Sequence, residues 1–219
     1  MCSSDLNPAQ QEICGNGIDD NCDGSQNDPN SKGCTQFYSD VDGDTFGSTA
    51  GQCLCVANGS FTASNNADCA DNDAAINPNG VEICNGKDDN CDGKTDEGCD
   101  DDKDGFCDAN MKLIAPAPIC PNSTAKNGMG DDCNDADAQS NPKGAEVCDD
   151  IDQDCNGVVD NGCDDDKDGY CDGTMTVSNP LPKACPKGAG DCDDFNSDQN
   201  PGAQEICGNG IDDNCSNGE

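Results

Sequence analysis

The chain has 219 residues, 46 acidic against 10 basic, for a formal net charge of -36, with no histidine or tryptophan. Leu, Ile, Val and Phe together number 25, about a tenth of the chain and well under the ~20% below which a strongly charged sequence cannot bury a sizeable core. This balance excludes a large hydrophobic core, imidazole-based chemistry and direct binding to nucleic-acid phosphates.

Such a chain repels itself unless cations neutralise it, and about ten bound dications would offset more than half of the charge. The 21 cysteines predict a disulfide scaffold folded in an oxidising compartment, hence an extracellular or cell-surface place. No apolar run approaches the ~18 residues of a membrane span, so membrane insertion is not expected. The start MCSSDLNPAQ lacks the basic and apolar regions of a secretory signal, so either a signal has been removed or residue 1 is not the first codon.

Self-comparison divides the sequence into four parts. Residues 1-67 hold a partial repeat and a spacer, 68-131 and 132-190 are complete repeats, and 191-219 is a partial one. Asp68-Cys69, Asp132-Cys133 and Asp191-Cys192 open three copies, each running into a Glu-x-Cys phrase that ends at Cys84, Cys148 or Cys207. The first part enters this frame late, with Asn7-Pro8 followed by QEIC ending at Cys14. NPAQQEICGNGIDDNC (7-22) and NPGAQEICGNGIDDNC (200-215) differ at only two positions, closer than neighbouring repeats. That likeness predicts a higher-order unit spanning residues 7-199 and head-to-tail self-association.

Within the repeats, oxygen side chains at positions 1, 3 and 5, a glycine turn at 6, a backbone carbonyl at 7 and an oxygen at 9 fit the opening of a calcium loop. One class follows the Glu-x-Cys phrase: Asp19, Asn21, Asp23, Ser25 (carbonyl) and Asn27; Asp88, Asn90, Asp92, Lys94 (carbonyl) and Asp96; Asp152, Asp154, Asn156, Val158 (carbonyl) and Asp160; and the unfinished Asp212, Asn214 and Ser216. The other class leads into the spacers: Asp40, Asp42, Asp44, Phe46 (carbonyl) and Ser48; Asp100, Asp102, Asp104, Phe106 (carbonyl) and Asp108; Asp164, Asp166, Asp168, Tyr170 (carbonyl) and Asp172. The aromatic at position 7 is expected to close the loop against solvent. No loop has the position-12 glutamate or the flanking helices of an EF-hand.

The Asp-Cys segments predict a third class of site: Asp68, Asp71 and Asp73 with Glu82, brought close by a Cys69–Cys84 bridge; Asp132, Asp135 and Asp137 with Glu146, brought close by Cys133–Cys148; Asp191, Asp194 and Asn196 with Glu205, Asp198 being a substitute in the last. The bland alternative is a solvated acidic face. Disulfides are preferred over zinc, since only Cys53-Leu-Cys55 approaches a thiolate knuckle. The local pairs expected are Cys69 with Cys84, Cys91 with Cys99, Cys107 with Cys120, Cys133 with Cys148, Cys155 with Cys163, Cys171 with Cys185, and Cys192 with Cys207. An odd count leaves Cys215 unpaired, either joining Cys2 of a neighbouring copy or free, with Cys2 on Cys14 and Cys22 on Cys34. The spacers Met111 to Gly130 and Thr174 to Gly190 are expected to be short extended segments or hairpins. Asn58 and Asn122 begin sequons that could carry glycans.

The phrases D-C-x-D-x-D, N-P-x-x-x-E-x-C and D-x-[DN]-C-[DN]-G-x-x-[DN], recurring in fixed order, resemble the metal-binding repeats of bacterial surface and secreted proteins grouped with MopE-type copper-binding proteins. The acidic loops also resemble thrombospondin type 3 repeats, and that resemblance implies calcium and disulfides in place of a hydrophobic core. The copper association does not carry over, because MopE-type copper sites use His and a modified Trp and this chain has neither; Asp, Asn and carbonyl oxygens suit calcium.

The expected fold is therefore irregular and loop-rich: calcium- and disulfide-stabilised tandem repeats with little regular secondary structure beyond small β-hairpins or short strands in the spacers. The expected function is an extracellular calcium-binding structural protein, a subunit of a head-to-tail filament, stalk or adhesive matrix, with about ten calcium sites. The alternatives are a soluble secreted calcium-binding module or spacer of a larger adhesin, and transition-metal scavenging. Catalysis is not expected, because the acids recur identically in each repeat whereas an acid catalyst needs its own desolvated pocket.

Overall fold

A computed structural model describes residues 9–217. The chain forms two compact units, dividing after Asp96. Among the described residues there is no helix, and five short strands make up the named elements. None of those residues forms a helix long and apolar enough to cross a membrane. The architecture is loop-rich, disulfide-stabilised repeats.

In the first unit, β1 (Thr35–Ser39), β2 (Gly51–Leu54) and β3 (Phe61–Ala63) form an antiparallel sheet in the order β2-β1-β3. The β-prone run TQFYS supplies the central strand. Gly51 faces Tyr38, and a Cβ there would lie 2.8 Å from the Tyr38 ring, so only glycine lets the ring cover the strand. Leu54 and Ala63 are buried. Cys53 on β2 and Cys55 just beyond its end bond Cys34 and Cys14.

In the second unit, β4 (Tyr170–Asp172) and β5 (Gly188–Asp191) pair in parallel, and Cys171–Cys185 staples the connection. The spacer Thr174 to Gly190 therefore contributes a strand only at its end. Met111 to Gly130 contributes none, holding isolated bridges from Met129 to Lys112 and Lys126; its backbone is fixed by Cys107–Cys120 instead. The packed centre of this unit is sulfur: Cys148, Cys163, Cys171 and Cys185 are wholly buried, with Met175, Val177 and Ala184 against them.

Cys107–Cys120 and Cys171–Cys185 match the pairing expected from sequence, but most of the remaining network is longer-ranged. Cys69 bonds Cys91, Cys133 bonds Cys155 and Cys192 bonds Cys215, in place of Cys84, Cys148 and Cys207. Cys148 bonds Cys163, replacing Cys155. Cys91 is thereby unavailable to Cys99; Cys84 and Cys99 are each disulfide-bonded. The reason is the turn. The cysteine at loop position 4 has a left-handed backbone, φ 58° at Cys91, 55° at Cys155 and 53° at Cys215. In all three pairs its sulfur meets the N–H of the repeat-opening cysteine at 3.1 to 3.2 Å. Cys215 is thus paired internally, and Cys207 is the free, exposed thiol among the described residues. Cys14 and Cys34 bond Cys55 and Cys53, so neither Cys2–Cys14 nor Cys22–Cys34 forms; Cys2 and the Asn7-Pro8 phrase lie outside the described residues.

The residue after loop position 1 locks each Glu-x-Cys phrase to its loop. Asp20, Asp89 and Asp213 are buried and accept hydrogen bonds from the backbone N–H of Ile13, Ile83 and Ile206 and from the side chains of Asn16, Asn85 and Asn209. In the third repeat the chemistry is exchanged: Gln153 Oε1 accepts from Val147 N–H, and its Nε2 donates to Asp149.

Candidate metal centres

The acidic loops fold by turning their own N–H groups onto their first carboxylate. In the loop at 100, Asp104 N–H donates to Asp100 and Asp102, Gly105 N–H to the second oxygen of Asp100, and Phe106 N–H to Asp104. The loops at 88, 152 and 164 repeat this pattern. It requires left-handed backbone at positions 4 and 6, as at Lys103 (φ 68°) and Gly105 (φ 88°). In the loop at 40, position 6 is Thr45 (φ 83°), and in the loop at 212 it is Asn217 (φ 64°).

This folding leaves the other carboxylate oxygens facing inward. In the spacer-leading loops, Asp40, Asp42 and Asp44, and likewise Asp100, Asp102 and Asp104, each place one oxygen within 4.8 Å of the others. Oxygens 2.3–2.6 Å from one central ion would show such separations. The Oδ2 atoms of Asp42, Asp44, Asp102, Asp104, Asp166 and Asp168 are buried without a hydrogen-bond partner, as are those of Asp68, Asp132 and Asp191. Leaving one such anionic oxygen desolvated is costly, and three together call for a counter-charge. All-oxygen donors of this kind fit a hard cation. The aromatics close the loops in part, Phe106 being buried and Tyr170 half-buried, under Lys143 and Lys187 at 5.1 and 5.4 Å from the ring centres.

The loops after Glu-x-Cys form a second, more exposed kind of centre. Glu146 Oε1 accepts from the N–H groups of Gln153 and Asp154 in the loop that opens at Asp152, and its Oε2 is buried without a partner. Glu82 likewise takes the N–H groups of Asp89, Asn90 and Asp96, and Glu205 that of Asn214. These glutamates thus serve the loop that follows them, not the Asp-Cys segment before them, because no Cys69–Cys84 or Cys133–Cys148 bridge draws them back. Glu12, overlooked in the sequence, holds the same place: it accepts from Asn21 N–H and keeps Oε2 buried without a partner. Alignment of QEIC with VEIC is the signal that would have found it.

Several residues expected as ligands are occupied otherwise. The position-9 oxygens turn to backbone: Asn27 accepts from Gly15 N–H, Asp96 from Asn85 and Gly86, and Asp160 from Asp149 and Asp150. Asp108 and Asp172 cap local turns through the N–H groups of Asn110 and Thr174, and Ser48 donates to Ser39 carbonyl. The Asp-Cys segments do not gather into one centre either. Asp71, Asp135 and Asp194 accept from the N–H groups of Val41, Asp101 and Asp165 in the spacer-leading loops. Asp73, Asp137 and Asn196 cap their own turns, at Ala75, Gln139 and Asp198. Thiolate ligation at Cys53 and Cys55 is ruled out by their disulfides. Of the sequon asparagines, Asn58 is exposed, whereas the Asn122 amide donates to Asp104 carbonyl.

The electrostatics match the crowding. Asp132 is pushed up to about 6, first by burial and then by Asp104, Asp102 and Asp135. Asp135 and Asp194 are also pushed up to about 6, by burial and then by neighbouring carboxylates. Burial likewise raises Asp68, Asp102, Asp164 and Asp191. Asp71 is the contrast: burial acts to raise it, but hydrogen bonds from Val41, Ser39 and Ser48 hold it below the usual carboxylate range.

A family model, Cu-binding_MopE, "Putative metal-binding motif", matches residues 3–28, 68–97, 132–161 and 191–219, just over half of the chain. Comparison with curated proteins and with solved structures returns no match. The matched segments hold the Glu-x-Cys phrases and their loops, while the loops opening at Asp40, Asp100 and Asp164 fall outside them.

Proposed function

The chain belongs to the MopE-type family of metal-binding repeats, and from that premise we propose that its metal is calcium and its role structural. The observation that carries this reading is the set of buried carboxylate oxygens without hydrogen-bond partners. Those oxygens belong to Asp and Glu, with no imidazole anywhere in the chain and no free thiol among the described residues except Cys207. Copper and zinc favour nitrogen and sulfur, whereas calcium takes six to eight oxygens in irregular geometry. With sulfur at the packed centre and little apolar surface to bury, bound calcium supplies what a hydrophobic core supplies elsewhere. The buried acids recur at equivalent positions from one segment to the next, as at Asp68, Asp132 and Asp191, which supports a non-catalytic role.

An oxidising, extracellular or cell-surface setting is supported by the disulfide density. Head-to-tail assembly into a filament or stalk is supported by the near-identity of residues 7–22 and 200–215. The internal Cys192–Cys215 bond removes the covalent link that Cys215 would have offered to a neighbour, and this favours the second reading, a secreted calcium-binding module or spacer. Elemental analysis with electron microscopy, before and after EGTA, tests both. Near ten calcium per chain in filaments that fray on chelation supports the first reading, and calcium-loaded monomers support the second. Bound copper or zinc with little calcium overturns both.

A further inference from the structure

We propose that Asp68, Asp132 and Asp191, which open the last three matched segments, belong to cation sites completed by the loops outside those segments, each taking one hard dication of the calcium type. The inference rests on the calcium reading above and assigns it to particular junctions. Asp132 joins Asp100, Asp102 and Asp104; Asp68 joins the loop opening at Asp40; Asp191 joins the loop opening at Asp164.

The opening aspartates are among the most buried polar residues of the chain, Asp132 at 0%, Asp191 at 2% and Asp68 at 6% exposure. One oxygen of each is used locally, accepting from the N–H two residues on, at Ala70, Asn134 and Asp193. The other oxygen has no partner, and in each case the two loop carboxylates at positions 3 and 5 also present a buried oxygen without one. Backbone bonds pin the opening aspartate against its loop: Asp68 N–H donates to Gly47 carbonyl, Asp132 N–H to Cys107 carbonyl, and Asp191 ends the strand paired with Tyr170–Asp172. The approach is close enough that a Cβ on Gly130 would lie 2.2 Å from Cys107 carbonyl. The carboxylates of Asp71, Asp135 and Asp194 add a second tie to the position-2 N–H of the same loops. Lys143 lies over the Phe106 ring, and Lys187 lies over the Tyr170 ring and donates to Asp168 carbonyl, so neither is paired with the inward carboxylate oxygens. The cation therefore clamps each spacer-leading loop to the start of the following segment.

Calcium stoichiometry of the full oxidised chain, read by equilibrium dialysis, tests this with Asp102→Asn, Asp132→Asn and the double variant. Each single variant should lose one calcium per chain, and the double variant should also lose one, because both carboxylates serve one ion. Asp101→Asn, in the same loop but exposed, should lose none. Terbium gives a second readout, since the two tyrosines of the chain lie in or beside these loops and there is no tryptophan. In a Tyr38→Phe background, Asp191→Asn should cut tyrosine-sensitised emission at least ~5-fold while disulfide mapping stays unchanged. A double variant that loses two calcium ions, or single variants that lose none, overturns the junction assignment alone. A wild-type chain that binds no calcium overturns the calcium reading with it.

Discussion

Thr45 carries a left-handed backbone that a β-branched side chain tolerates poorly, at a position where the loops at 100 and 164 have glycine. Thr45→Gly is therefore expected to stabilise the calcium-loaded chain by about 1 kcal/mol, read as a higher melting midpoint. The buried carboxylates give a pH dependence of unusual sign. Asp132, Asp135 and Asp194 lie near 6 in the fold against an ordinary 3.8, so their contribution to stability is full below the ordinary value and lost as pH rises through about 6. Metal-free chain should thus become more stable between pH 7 and pH 5, whereas acid normally weakens folds that depend on ionised carboxylates. Denaturation of chelated protein across that window checks it, and a fall in stability on acidification would count against the buried geometry.

At the scale of loops and staples, peptide mapping of unreduced protein should recover Cys69–Cys91, Cys133–Cys155 and Cys192–Cys215, with Cys207 alone among the described cysteines alkylated without reduction. The acidic loops were legible in the sequence because their spacing is local: positions 1, 3, 5 and 6 speak to one another within one turn. The partners were not. Asp132 meets Asp104 across a whole spacer, and Cys69 passes over Cys84 to reach Cys91, and a repeat sequence offers several chemically equal partners at each choice. The three-stranded sheet was not legible in the sequence, since its register depends on Gly51 yielding to Tyr38 and on disulfides from Cys53 and Cys55 to Cys34 and Cys14. The glutamates follow the same cause: with Cys69 held by Cys91 and not by Cys84, Glu82 turns forward to the N–H groups of Asp89, Asn90 and Asp96.

Taken whole, the molecule carries a net charge of -36 on a disulfide-stapled chain, which on the calcium reading is neutralised by bound cations. Chelation should expand it, seen as a larger radius of gyration by small-angle scattering, to a limit set by the disulfides, and calcium should restore it. Salt alone should contract it only partly, because screening acts on exposed charges far more than on the buried clusters. The exchanged hydrogen-bond pair reaches further, into how such an array is inherited. Asn85 faces Asp89 where Asp149 faces Gln153, each pair separated by four residues. Tandem repeats recombine readily, yet a crossover falling inside those four residues would set Asp149 against Asp89, two buried-side acids in contact, or Asn85 against Gln153, with no charge left to accept. Gene exchange between these repeats is therefore expected to spare that short window and to break elsewhere, so that each Glu-x-Cys phrase travels with its own loop.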